Sequence, residues 1–253
     1  MAGDYAVLAP VYDEIGLAAF ATKMAPRLIH FVQSHTDWLG RRVLDLGCGT
    51  GEAMKALADY NFAFIAVENT AEMIQQAQTR LAKAGLNIKW VQQDIRQLDP
   101  TTGLVDMALA LDIINDLNSL RELEAVFKGV HQLLDTGKLF IFDLYTLQGL
   151  AEFGSEGEHL VYNQPDKLTV FASNEYDYER QIHTQAFIIF QQVADCWQRA
   201  EASRILRTFP VQAVASLLQR SGFEITTVLD THLNVLQPGV SQVPRVIFIA
   251  KKL

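Results

Sequence analysis

The residues of this chain best placed to do chemistry begin at Val43. There Val43-Leu44-Asp45-Leu46 leads into Gly47-Cys48-Gly49-Thr50-Gly51-Glu52. Glycines let backbone approach a ligand closely, and a helix starting behind such a loop presents free N–H groups and the positive end of its dipole. An apolar strand, an acid, a glycine loop and a helix in that order indicate a ligand-binding turn rather than a purely structural one. A dinucleotide fingerprint needs its third glycine three residues after the second. That position is Glu52, and Gly51 comes only two after Gly49, so the spacing disfavours a nicotinamide dinucleotide. Glu68, at the end of the next apolar run, offers two acceptor oxygens and no donor, which suits a vicinal diol without choosing the cofactor that carries it.

Other reactive groups follow later strands. Asp112, Asp143, Tyr145 and the Asp230/His232 pair fall at carboxyl ends of apolar runs, where open α/β sheets bind ligands, and are the candidates for a general base. The alternative readings are helix capping for the acids and a solvated loop for His232. His30, His35, His131, His159 and His183 show neither metal-ligand nor triad spacing. Cys48 reads as a packing residue of the loop. With Cys196 it makes two cysteines, too few for a disulfide framework and without zinc-ligand spacing, so no metal and a reducing, cytoplasmic setting are expected.

The elements that must position these groups alternate from Arg42 to Leu144. Short apolar runs, Val43–Gly47, Phe62–Glu68, Ile88–Gln92, Val105–Leu111 and Lys138–Asp143, predict strands. Gly51–Asp59, Ala71–Ala84 and Ser119–Leu134 predict the helices between them. This is the pattern of a parallel sheet flanked by helices. After Leu144 the period changes to two. Leu168–Glu179, Gln181–Val193 and Asp195–Thr208 read as antiparallel strands, and the chain then resumes with a helix, Pro210–Arg220, and two strands, Phe223–Asp230 and Val243–Ala250. The antiparallel block is therefore an insertion within the α/β unit.

In the form D-x-G-x-G-x-G after a strand, the loop resembles the first motif of Rossmann-like S-adenosylmethionine-dependent methyltransferases, in which it contacts the methionine end of the cofactor. The resemblance implies S-adenosyl-L-methionine as cofactor, with Asp45, Gly47, Cys48, Gly49 and Gly51 around its methionine part. Glu68, followed by Asn69, would take the ribose hydroxyls. Val91-Gln92-Gln93-Asp94-Ile95 resembles the adenine-reading segment, Asp94 accepting from the exocyclic amine while Ile95 and Met73 cover the ring faces. Leu111-Asp112-Ile113-Ile114-Asn115-Asp116-Leu117 occupies the place of the loop beside the sulfonium, with Leu111 and Asn115 as cofactor contacts and Asp112 as a catalytic candidate. That loop lacks the Asn/Asp-Pro-Pro-aromatic tetrad of amino-methylating DNA enzymes. Near the N-terminus, Tyr5-Ala6-Val7-Leu8-Ala9-Pro10-Val11-Tyr12-Asp13 is similar to the A-x-x-Y-D segment of many small-molecule members, whose tyrosine closes over the reactive end of the cofactor; packing in a core helix is the other reading of Tyr12.

The implied fold class is α/β: a Rossmann-like seven-stranded, mostly parallel sheet with helices on both faces and an inserted antiparallel β lid. Residues 1–148 and 209–253 form the cofactor-binding unit. Residues 149–208 form the lid, which resembles that of sugar N-methyltransferases and glycine N-methyltransferase-like proteins, where it covers the acceptor pocket and in some members pairs subunits. A monomer, or a homodimer through the lid, is expected. The net charge of −8 opposes a phosphate-backbone partner, and no apolar run is long enough to span a bilayer. The expected reaction is methyl transfer to nitrogen or oxygen of a small polar metabolite. A nicotinamide-dependent dehydrogenase accounts only for the glycines and Glu68. A catalytically silent cofactor-binding protein of the same fold stays open, because methyl transfer demands no nucleophile that a sequence would reveal.

Overall fold

A computed structural model describes residues 3–237 and 243–253. Its main sheet contains β1 (Arg42–Leu46), β2 (Ala63–Glu68), β3 (Asn87–Gln92), β4 (Val105–Ala110), β5 (Leu134–Tyr145), β10 (Phe223–Leu229) and β11 (Arg245–Lys252) in the order β10-β11-β5-β4-β1-β2-β3. Strands β1 to β5 pair in parallel, and β11 runs antiparallel between β5 and β10. Every residue of β4 is buried, as expected for a strand covered on both faces.

The period of two decides which side chain joins which core. Along β5, Phe140, Phe142 and Leu144 pack with Phe127, Val130 and Leu133 of α5 (Leu120–Leu133), whereas Leu139 and Ile141 face the opposite side. There they meet Leu28, Ile29 and Val32 of α2 (Ala19–His35). Ser119 caps α5 by accepting from the Glu122 N–H. No helix among the described residues is long and apolar enough to cross a membrane.

Strands β6 (Glu158–Gln164), β7 (Leu168–Asp177), β8 (Ile182–Val193) and β9 (Cys196–Arg207) form a separate four-stranded antiparallel sheet in chain order. Three of these strands were expected from their alternation. β6 was not, because it is a half-exposed edge strand with a weak apolar pattern. Also unforeseen were α2, α6 (Leu147–Gly154) and the single turn α1 (Tyr5–Leu8). The N-terminal stretch packs against the lid rather than the main sheet. Leu8, Val11 and Ile15 bury against Val170, Phe187 and Ile189, and Asp4 accepts from both the backbone N–H and the hydroxyl of Ser203. This gives Phe187 and Ile189 the apolar partner that the main sheet does not supply.

The same stretch reaches the glycine loop from its other end. Thr50 donates a 2.6 Å hydrogen bond to Asp13, which also pairs with Arg80 of α4 (Ala71–Leu81). The lid, the N-terminus and the glycine loop are thus one connected structure.

Candidate active site

A cavity of about 520 Å³ opens at the carboxyl edge of β1, β2 and β4, beneath the N-terminal stretch. Strand β1 is flanked by β2 on one side and β4 on the other, which makes this the point where the strand order reverses. Of the residues singled out from sequence, Asp45, Gly47, Cys48, Gly49, Glu68, Asn69, Met73, Asp94, Ile95, Leu111, Asp112 and Tyr12 line it.

Backbone makes the floor. Gly47, Gly49 and Gly51 all have positive φ. A Cβ on Gly47 would come within 2.7 Å of Ile113, so the loop after β4 rests directly on the glycine loop. Gly49 has open space where a side chain would be, and its N–H donates to Glu68 at 3.1 Å. The Glu68 carboxylate also accepts from the N–H groups of Asn69 and Thr70, both at 2.9 Å and both on Oε1. Three of its four acceptor positions are therefore taken, and Oε2 keeps the free one for a ribose hydroxyl. Asp45 is buried, and its Oδ2 has no hydrogen-bond partner among the described residues. Burial and the charge on Glu68 push its carboxyl up to about 7. A partnerless carboxylate oxygen beside an open glycine is a fitting receptor for the ammonium group of an amino-acid moiety, and Met73 and Ile95 supply apolar surface for a ring.

Asp94 departs from its expected role. Its two oxygens accept from the backbone and guanidinium of Arg96, and those bonds hold its carboxyl below the usual range. An adenine amine here would have to compete with a guanidinium for the same lone pairs.

The roof of the cavity presents Tyr5, Asp112 and Asp116, held from behind by side chains from distant segments. Arg204 of β9, almost fully buried, donates to the Tyr5 hydroxyl at 3.0 Å and to Asp112 at 3.2 Å. Arg245 of β11 donates to Asp112 at 2.6 Å and to Asp143 at 2.5 Å, with Phe20 and Tyr145 against its guanidinium. Asp112 has a left-handed φ of 59°, fixed by these two arginines and by its own N–H, which donates to Asp143. Burial works to raise its carboxyl, but the two guanidiniums together hold it below the ordinary value. An ionised carboxylate committed to two arginines is a poor general base, so the structure corrects the reading of Asp112 as one.

The other candidates lie off the cavity: Asp143, Tyr145, the Asp230/His232 pair, Gly51 and Asn115 are absent from its lining. His232 is exposed in a turn closed by Asp230, which accepts from the N–H groups of His232 and Asn234. That turn follows β10, four strand spacings from β1, roughly 19 Å away. Gly51 starts α3 (Glu52–Ala56), and a Cβ there would meet Leu81, so its role is in the turn and in packing. Asn115 ties the end of β5 to the lid, donating to the carbonyls of Tyr145 and Arg207 and accepting from the Tyr145 N–H. Cys48 is buried, and burial raises its thiol well above the usual value, which suits packing and not nucleophilic attack.

Tyr5 and Asp116 also line the cavity and were not singled out. Both Asp116 oxygens accept from the Tyr5 hydroxyl, at 2.9 and 2.8 Å. Arg204 was missed as well, although an arginine in register with Ala202 and Leu206 on the buried face of a strand is a legible signal of a buried ionic partner.

Residues 43–137 match the family described as methyltransferase domain. The chain is 27% identical over 223 residues to a Bacillus subtilis (strain 168) protein named "Putative methyltransferase YqeM", covering 83% of this chain and 84% of that one. Among solved structures, an S-adenosylmethionine-dependent methyltransferase from Clostridium acetobutylicum ATCC 824 matches with a TM-score of 0.81 and 20% identity over 98% of both chains. The sugar N-methyltransferase KedS8 from Streptoalloteichus sp ATCC 53650 matches with a TM-score of 0.71 and 18% identity, covering 96% of this chain and 92% of that one.

Proposed function

We propose that this chain, a methyltransferase by its domain and its Rossmann-like fold, binds S-adenosyl-L-methionine over the glycine loop and methylates a nitrogen or oxygen of a small polar metabolite. The observation that carries the reading is the partnerless Asp45 oxygen on the wall that also presents open Gly49 and Glu68. When bound, the cofactor supplies a methyl group already activated on a sulfonium.

The residues of this chain then have three tasks. Asp45 holds the ammonium of the amino-acid end, the open face at Gly49 lets it approach the loop, and Glu68 Oε2 takes a ribose hydroxyl. Met73 and Ile95 cover the adenine. Tyr12 and the lid close the cavity, which excludes water and orients the acceptor for attack. A small acceptor fits a cavity of about 520 Å³ bordered by an N-terminal strap, which the antiparallel sheet holds in place through Arg204 and Ser203. The acidic surface disfavours nucleic acid. We assign residues 149–208 to the lid, with a cytoplasmic setting and a monomer or lid-mediated homodimer; sedimentation at high concentration decides the last.

Calorimetric titration with S-adenosylmethionine, S-adenosylhomocysteine and NAD tests the cofactor. The first two bind and NAD does not; a folded protein that binds neither adenosyl compound overturns the reading. Assaying cofactor consumption with small-molecule and macromolecular extract fractions tests the acceptor class, and turnover only with macromolecules would reject a small metabolite.

A further inference from the structure

The two acids of the loop after β4 stand in opposite electrostatic settings, although four residues separate them. Asp112 is held between Arg204 and Arg245, whereas Asp116 is hydrogen-bonded by the Tyr5 hydroxyl, with Arg204 at 3.9 Å. Asp116 is 7% exposed and lines the cavity, and each of its oxygens keeps a lone pair beyond the bond from Tyr5. Its position relative to the cofactor site follows from sheet order. With the ribose at the end of β2 and the amino-acid end over the loop after β1, the sulfur that joins them would lie between these two loops, beside the glycine loop. The loop after β4 touches the glycine loop through Ile113 and Gly47.

The groups facing Asp116 are Tyr5 and Tyr12 from the N-terminal stretch, Arg204 from the lid, Asp112 from its own loop and Glu68 from β2. Arg204 gives its hydrogen bonds to Tyr5 and Asp112 and stands 3.9 Å from Asp116, so the corner holds two aromatic rings and a buried acid whose oxygens the guanidinium does not hydrogen-bond. That combination suits an ammonium group.

We infer that Asp116, oriented by Tyr5, is a catalytic residue that binds the acceptor as an amine and takes its proton. This rests on the methyltransferase reading and narrows its acceptor to nitrogen. The ammonium N–H bond breaks, the proton passes to Asp116 Oδ, and the electron pair stays on nitrogen as the lone pair that attack requires. Burial, with Asp112 and Glu68, raises the Asp116 carboxyl to about 7 against the pull of Arg204 and Tyr5, near the value at which a base exchanges protons at neutral pH.

Sinefungin, which carries an amine where S-adenosylmethionine carries its methyl-bearing sulfonium, probes this corner without turnover. The measurement is its calorimetric affinity relative to S-adenosylhomocysteine, which lacks the amine, between pH 5.5 and 8. The wild type prefers sinefungin, and the preference grows as Asp116 ionises. Contributions of Asp45 and Glu68 are common to both ligands and cancel in the ratio. In Asp116→Asn the preference falls by about tenfold or more, the usual effect of losing a charge-assisted partner, and becomes flat with pH, while S-adenosylhomocysteine affinity is retained. A ratio that is flat with pH in the wild type, or unchanged in Asp116→Asn, overturns the inference. Failure of S-adenosylhomocysteine to bind folded wild type would instead overturn the cofactor reading. The wild-type profile decides the matter even if the variant does not fold.

Discussion

The floor of the cavity at the ends of β1 and β2 is made mainly of backbone, whereas its roof is made of side chains. The floor draws on two short segments, Asp45–Thr50 and Glu68–Thr70, in which glycine conformations shape the loop and N–H groups fix the Glu68 carboxylate. The roof draws on Tyr5, Asp112 and Asp116, backed by Arg204 and Arg245; these come from four separate parts of the chain and meet as a buried ionic cluster closed by the Tyr5 hydroxyl. A backbone site tolerates change around it as long as the turn survives. An ionic site depends on each partner, because removing one charge strands another in a low-dielectric place.

The difference is sharpest in Arg245→Met, which deprives Asp112 and Asp143 of their shared guanidinium. We expect a stability loss of about 3–5 kcal/mol, the typical cost of breaking a buried pair, seen as a lower urea midpoint. Affinity of the remaining folded protein for S-adenosylhomocysteine should stay near wild type. A parallel loss of affinity would show that floor and roof are not separable.

The converse change, Glu68→Ala, should weaken S-adenosylhomocysteine binding by roughly 1–3 kcal/mol while leaving the roof intact. Unchanged affinity in calorimetry would place the ribose elsewhere.

A pH series sharpens the comparison further. The Asp45 carboxyl is raised from 3.8 to about 7 in the folded protein, so the folded state binds its proton more tightly than the unfolded chain does. Its contribution to stability is therefore fully present below pH 3.8 and lost as pH rises toward 7, by at most about 1.4 kcal/mol per unit. Asp45→Asn should flatten that part of the urea-midpoint curve, and identical slopes in the two proteins would mean that Asp45 is already ionised. The smallest effect is expected for His232→Ala, an exposed turn residue outside the cavity: within about 0.5 kcal/mol in stability and no change in cofactor affinity.

The sequence by itself determined the α/β order, the glycine loop, Glu68 and the three long lid strands. These are local properties: a period of two or 3.6, a glycine spacing, an acid at the end of an apolar run. Each is written in consecutive residues and survives without knowing what lies opposite. It also placed the floor residues correctly relative to one another, because β1 and β2 are adjacent in chain and in sheet. Only the tertiary structure decided the roof. Asp112 and Asp116 look equivalent in sequence, and what separates them is Arg204, 92 residues from Asp112, and Arg245, 133 residues away. Asp94 and Asn115 likewise lined up by position, yet Arg96 occupies one and the lid junction the other. The charge state of a buried acid depends on which partners desolvation leaves it with, and those partners are chosen by packing between strands that the sequence does not order.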